Sequence, residues 1–443
     1  MKTNVASKIF PWHSLILWSA FLIFLLAMLL QTRNYPYYRD DSIVFKRAQE
    51  TLANPLAAWA PVPEYGRRHP LWFYLLSLEK IVLGFNATGY FTILFLLHFF
   101  NSLLVVRLCR SLGGTLPAQV LSGLLFLYSS CFYQNLILIP STQRVLCLLF
   151  SLLAMSTWIE FLRNRRFLHF LYTALLQTFS LLSMEDMVVF PLLALFFTWI
   201  LVREDRERKA IALRFVLPLV LINVLLSLVL LEAFFSSPLR AEKLPEFKVP
   251  VRQIMGLLRM LFLPLFVPEK GFLPPGVIPE NFLRLIPVSL FALIWLTLLS
   301  VGKSLKSFLG GFPSQFVFIS LGWIGITVLP FIFQSSTFEH VNRYLYSPMV
   351  GFSLIFGVSM NRLTQAIRSH SPLAGLISFI VTMVYILALN LSTTIYHYQR
   401  YLRHVEIHTE QRFYQQVEQI FEEGKGRRVG LLPVPELSDY LRK

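Results

Sequence analysis

The chain has 443 residues, of which 55% are hydrophobic and only 14% charged, with a mean hydropathy of +0.60. Soluble globular chains carry about 25% charged residues, so the polar surface is too small to solvate a protein of this size. Soluble enzymes, disordered chains, collagens and disulfide scaffolds are excluded, and an all-α polytopic membrane protein is predicted. The 40 Lys and Arg against 24 Asp and Glu leave a net charge of +16. In a soluble chain that balance would suggest nucleic acid; here its placement follows membrane topology, and no nucleic-acid partner is expected. Cys109, Cys131 and Cys147 lie in or beside apolar runs, without metal-ligand spacing, and read as small apolar side chains.

Crossing the hydrocarbon core takes roughly 20 apolar residues. The pattern predicts eleven transmembrane helices, in order Ser14–Leu30, Tyr90–Leu108, Ala118–Tyr133, Val145–Phe161, Phe167–Ser183, Met187–Val202, Phe215–Phe234, Leu285–Val301, Phe316–Phe333, Tyr344–Met360 and Leu373–Leu391. The first is preceded by Lys2 and Lys8 without a small-residue cleavage signature, so it reads as an uncleaved span. The shorter run Leu71–Gly84 contains Glu79 and Lys80 and reads as an interfacial helix. With the N-terminus cytoplasmic, the inner segments hold 16 Lys and Arg, while the three short outer loops hold only Arg144 and Arg343.

This topology divides the chain into a membrane domain, 1–392, and a small extracytoplasmic tail, 393–443. Two long outer loops, 31–89 and 235–284, interrupt the membrane domain. In the second, Val251–Phe266 carries Arg252 and Arg259 on one helical face and reads as an interfacial helix. Arg427–Pro433 in the tail has the pattern of a short strand.

The polar residues that need explaining gather on the outer side. Asp40 and Asp41 follow the first span. Arg67, Arg68 and His69 precede the interfacial run, and Arg144 closes the next outer connection. Glu185 and Asp186 make the turn between the fifth and sixth spans. Glu339, His340, Asn342 and Arg343 open the tenth. Each has an ordinary alternative: a helix cap for Asp40-Asp41, a solvated hairpin tip for Glu185-Asp186, headgroup snorkelling for Arg67-Arg68, a span anchor for Arg343. His98 and Asn101, one turn apart inside the second span, read as groups that bond between helices. Acids at membrane depth are costly and default to function. Paired carboxylates serve as general base or metal ligand, and guanidinium groups fork onto phosphate oxygens. An outer-face site has no nucleotide sugars to draw on. An activated substrate there arrives in the bilayer, as a lipid-linked phosphate.

The ordered motifs Tyr38-Arg39-Asp40-Asp41, Arg68-His69-Pro70-Leu71, Gly84-Phe85-Asn86 to Gly89-Tyr90, Leu97-His98 to Asn101-Ser102-Leu103-Leu104, Ser183-Met184-Glu185 to Pro191-Leu192-Leu193 and Asn342-Arg343-Tyr344-Leu345-Tyr346-Ser347-Pro348 resemble the C-type superfamily of integral-membrane glycosyltransferases. The likeness is to the branch of protein O-mannosyltransferases, their tetratricopeptide-bearing relatives and bacterial homologues. It covers about three quarters of the chain. Met184 stands where the family has Lys, His69 where it has Arg and Asn342 where it has Glu. The resemblance implies a polyprenyl-phosphate sugar donor, inversion at the anomeric carbon, and Asp41 or Asp40 as the base. Glu185 and Asp186 order the site or hold a divalent metal, if one is used; Asp41 and Glu185 are its candidate ligands. Arg343, Arg68 and Arg144, with Arg67, His69 and His340 beside them, face the leaving phosphate. The acceptor is a protein, lipid or glycan hydroxyl. A bacterial inner membrane is the expected location. Rival classes are a transporter or flippase of a lipid-linked glycan and a non-catalytic assembly partner of the same fold.

Overall fold

A computed structural model describes residues 11–32, 39–62, 68–84, 86–132, 134–236, 314–331, 342–369 and 371–395, the last without 385, 389, 392 and 393. The expected span Leu285–Val301, the interfacial helix Val251–Phe266, Arg67, His340 and the strand in the tail lie outside the described residues. The chain divides into two units, Met1–Tyr398 and Gln399–Lys443, the second also outside them.

The described residues are helical and contain no strand. The helices are α1 (Pro11–Thr32), α2 (Arg39–Ala53), α3 (Pro70–Leu83), α4 (Ala87–Ser111), α5 (Leu116–Tyr128), α6 (Gln134–Ile137), α7 (Thr142–Asn164), α8 (Phe167–Ser183), α9 (Phe190–Leu201), α10 (Asp205–Ile211), α11 (Leu217–Ser236), α12 (Ser314–Val328) and α13 (Pro348–Arg368). A further apolar run, 372–384, is helical. Among the described residues, three helices are long and apolar enough to cross a membrane: Ala87–Ser111, Ile139–Asn164 and Asp205–Leu230. The third is continuous because a π-turn, Ala212–Val216, joins α10 to α11. Trp18–Thr32, Leu116–Tyr128, Phe167–Ser183 and Gln315–Phe331 are apolar but shorter.

Helix α7 is the centre of the bundle. It packs on α8 as a hairpin and on α4; α5 bridges α4 and α13, and α12 packs between α9 and α13. Burial along α4 recurs at Phe91, Leu94, Phe95, His98, Asn101, Ser102, Val105, Leu108 and Cys109, the three-to-four spacing of one helical face. Residues on α11 such as Leu221, Val224, Leu225 and Leu228 are exposed along its length, an apolar outer surface suited to lipid. Close approach uses small residues, as membrane helices favour. A Cβ on Gly357 of α13 would stand 2.1 Å from Ser122 Oγ and 2.5 Å from the Ala118 carbonyl of α5.

The run Leu71–Gly84, expected as an interfacial helix, is helical as α3. It pairs antiparallel with α2: Ser77 Oγ donates to the Ala48 carbonyl (2.9 Å), Lys80 Nζ to the Phe45 carbonyl (3.2 Å), and Tyr74 Oη to the Pro55 carbonyl (2.9 Å). The first turn of α2 therefore lies toward the α3 C-terminus, and His69 caps the other end.

Candidate functional site

The Glu185–Asp186 turn is held rigidly by its neighbours. Helix α8 ends at Ser183, Met184 is extended (φ −168°, ψ 150°), Glu185–Met187 form one 3-10 turn, and Pro191 opens α9. A proline in a helix's first turn loses no hydrogen bond and fixes the start. Three side chains from three helices take the turn's carbonyls. Cys147 Sγ of α7 reaches the Met184 carbonyl (3.3 Å), Gln177 Nε2 of α8 donates to that of Met187 (3.0 Å), and Asn223 Nδ2 of α11 to that of Val188 (2.8 Å). None of the three was a candidate from the sequence. Their signal is a lone polar residue inside an apolar run, which does not say what it bonds.

The two acids take different partners. Asp186 Oδ2 lies 3.3 Å from Arg144 Nε, with side-chain exposures of 10% and 7%, so the pair is buried. Glu185 Oε2 lies 3.7 Å from His69 Nδ1, an ion pair when the imidazole is protonated. Arg68, the preceding residue, donates to the Val229 carbonyl and ties the stretch before α3 to α11.

Arg343 arrives from the far end of the sequence. It lies in a 3-10 turn, Asn342–Leu345, just before α13, and its carbonyl accepts from Asn135 Nδ2 at 2.9 Å. The guanidinium carbons of Arg144 and Arg343 lie 4.6 and 5.2 Å from the centre of one ring, Tyr344, within cation–π range. Phe331 stacks on that ring at 4.7 Å. Arg144 Nη1 and Arg343 Nε are buried without a hydrogen-bond partner among the described residues. Tyr344 sat inside a quoted motif without a role; its position next to Arg343 was the available signal.

The fold thus brings together His69, Arg144, Glu185, Asp186 and Arg343, with Arg68 beside them. It places the backbone of Asp40 and Asp41 in the first turn of α2, where acids oppose the helix dipole favourably. That turn is toward the far end of α3 from His69, about 20 Å along the helix axis. The side chains of Asp40 and Asp41 lie outside the described residues, as do Arg67 and His340. His98 and Asn101 bond between helices, as expected, His98 Nε2 to the Leu127 carbonyl of α5 and Asn101 Nδ2 to the Val145 carbonyl of α7, both at 2.9 Å; His98 Nδ1 and Asn101 Nδ2 also meet Tyr346 Oη, at 2.8 and 3.0 Å. Trp323 Nε1 donates to the Ser347 carbonyl. The segment carrying Arg343 is therefore pinned at Arg343, Tyr346 and Ser347.

No group of three His, Cys, Asp or Glu that could hold a metal forms among the described residues. Around Glu185 the donors are one carboxylate, one imidazole and an Asp186 already held by Arg144. A divalent cation there would face that guanidinium; the side chain of Asp41, the other expected ligand, lies outside the described residues. No protein-family model and no curated protein matches this chain.

Proposed function

We propose that the protein is a membrane glycosyltransferase that moves a sugar from a polyprenyl-phosphate donor to an acceptor hydroxyl of a protein, lipid or glycan. In this reading it has eleven spans in a bacterial inner membrane. The N-terminus is cytoplasmic, and the acid turn and tail face outward. The observation that supports it most is the pair of buried, unbonded guanidinium donors, Arg144 Nη1 and Arg343 Nε, over one aromatic ring. An unsatisfied buried donor costs about 1–3 kcal/mol, and more when charged. Phosphate oxygens are acceptors that would satisfy such donors. Arg144 is already neutralised by Asp186, whereas Arg343 has no acid partner among the described residues. The Arg343 guanidinium is therefore left without a carboxylate in contact and available to the anion.

An apolar groove of about 420 Å³, lined by Val188, Pro191, Leu192, Val220, Val224 and Leu228, opens directly after the acid turn. It suits the donor's isoprenoid chain. In the transfer step the acceptor oxygen bonds the anomeric carbon from the face opposite the phosphate, and the acceptor proton passes to a carboxylate. The carbon–oxygen bond to phosphate breaks, its electron pair leaving with the phosphate. Phosphate leaves readily, so the protein chiefly positions groups and stabilises charge. Asp40 or Asp41 is the base by resemblance, although their turn stands about 20 Å along α3 from His69; Glu185, in contact with His69 and next to the Asp186 that holds Arg144, is the carboxylate at the arginine-bearing end. A non-catalytic assembly partner is the second reading, favoured by the locking of Asp186 to Arg144. Transfer from radiolabelled polyprenyl-phosphate hexoses by Asp40→Asn, Asp41→Asn and Glu185→Gln tests the proposal. Loss of turnover with folded protein retained supports it, and donor that never binds contradicts it.

A further inference from the structure

The end of the bundle opposite the acid turn carries a different kind of charge. Helix α8 runs 17 residues from the arginines at its start to the acids after its end, about 25 Å. At the arginine end, the tip of α4, the α7–α8 connection and the stretch from α9 through α10 to the π-turn meet. Arg163 donates to the Ser111 carbonyl, Arg165 pairs with Glu207 at 2.6 Å, and the Arg208 guanidinium lies 5.4 Å from the Trp199 ring. Three of the four acids here are already taken, Glu160 by Arg163, Asp205 by Arg208 and Glu207 by Arg165; the fourth, Glu204, is exposed at the start of α10 and leaves the cations in excess. Arg166, Arg203, Arg206, Lys209 and Arg214 are exposed. Their side chains make no hydrogen bond or ion pair among the described residues.

Excess positive charge at a helix end is ordinary membrane topology, and by itself says nothing of a ligand. Its company here is specific. Phe167, Leu168, Trp199 and Leu213 are each more than half exposed, between 56% and 69%, within the same turns. An aromatic and aliphatic rim beside unneutralised cations matches a bilayer boundary, where stems bury in acyl chain and charged heads reach phosphate. A free phosphate would use the cations and leave the rim bare; a phospholipid uses both.

We infer that this end of the bundle is a binding surface for anionic phospholipid headgroups, seated on Arg166, Arg203, Arg206, Lys209 and Arg214 with Trp199 and Leu213 against the acyl chains. The inference does not depend on the transfer reading and stands or falls separately.

The test is the full chain reconstituted in phosphatidylcholine bilayers with spin-labelled phosphatidylglycerol or spin-labelled phosphatidylcholine, reading lipid held at the protein boundary. The expected result is a preference of about tenfold for phosphatidylglycerol, shrinking in 1 M salt and falling at least fivefold when Arg203, Arg206, Lys209 and Arg214 are all changed to Gln. Orientation is checked by protease accessibility, because removing positive charge can invert a topology. Where the fourfold variant inverts or fails to fold, Lys209→Gln and Arg214→Gln singly replace it, each expected to lower the preference. Equal retention of the two lipids by the native chain, a preference indifferent to salt, or one unchanged in correctly oriented variants overturns the inference. So does displacement of the labelled lipid by millimolar inorganic phosphate, which would mark a free-anion site.

Discussion

Arg144 Nε lies 3.3 Å from Asp186 Oδ2, the two side chains being only 7% and 10% exposed. Removing one partner strands the other charge. Arg144→Ala and Asp186→Ala should each cost about 3–5 kcal/mol, and the double variant less than the sum. Thermal unfolding in detergent checks this through a double-mutant cycle. Additive losses would mean the pair contributes nothing as a pair.

Tyr346 Oη is shared by His98 Nδ1 and Asn101 Nδ2. Tyr346→Phe keeps the ring and leaves both partners short of a bond. A loss of about 1–3 kcal/mol is expected. Because Tyr346 fixes the segment that carries Arg343, donor affinity should fall as well. His98→Phe, which also removes the Nε2 contact with the Leu127 carbonyl, should cost a similar amount.

Glu79 of α3 is buried, its Oε1 lacks a hydrogen-bond partner among the described residues, and burial pushes its carboxyl up from 4.5 to about 7. The folded form therefore holds the proton more tightly than the unfolded form. Stability from this group is complete below about pH 4.5 and is lost as pH rises through 7. The ionised carboxylate costs on the order of 3 kcal/mol above that. Glu79→Gln should raise the unfolding temperature at pH 8.5 and leave it nearly unchanged at pH 4.5. The opposite order would mean Glu79 is held as a carboxylate.

The Glu185 turn depends on Gln177 and Asn223, which take the carbonyls of Met187 and Val188. Gln177→Ala and Asn223→Ala should each lose about 1–3 kcal/mol. Either should also reduce transfer in the assay below without changing which acid is required. A variant with native turnover would show that the turn holds its shape from backbone bonds alone.

The helical class and the apolar helices among the described residues were legible because apolar run length is a local property, whereas the polar helix α2, Arg39–Ala53, falls in a stretch read as loop. Phe167–Ser183 is helix α8 with the same ends, and the run Leu71–Gly84 is helix α3 moved back one residue at each end, with Gly84 just past it. The π-turn at Ala212–Val216 was not legible, since nothing in its composition separates it from the helix it interrupts. The site was legible as residue types. Its pairings were not, because Arg144 with Asp186 and Asn135 with Arg343 join residues 42 and 208 apart. His98 and Asn101 were readable as interhelical bonds since a polar residue inside a span has few other uses.

The central claim rests on carboxylates that act on a lipid-linked donor. The most direct measurement is sugar transfer in purified membranes from radiolabelled polyprenyl-phosphate hexoses, comparing the native chain with Asp40→Asn, Asp41→Asn and Glu185→Gln, alongside donor binding in Arg343→Ala. The account predicts turnover by the native chain, loss of about 100-fold or more in the variant that removes the base, and weakened donor binding in Arg343→Ala. A native chain that binds none of the donors would contradict it.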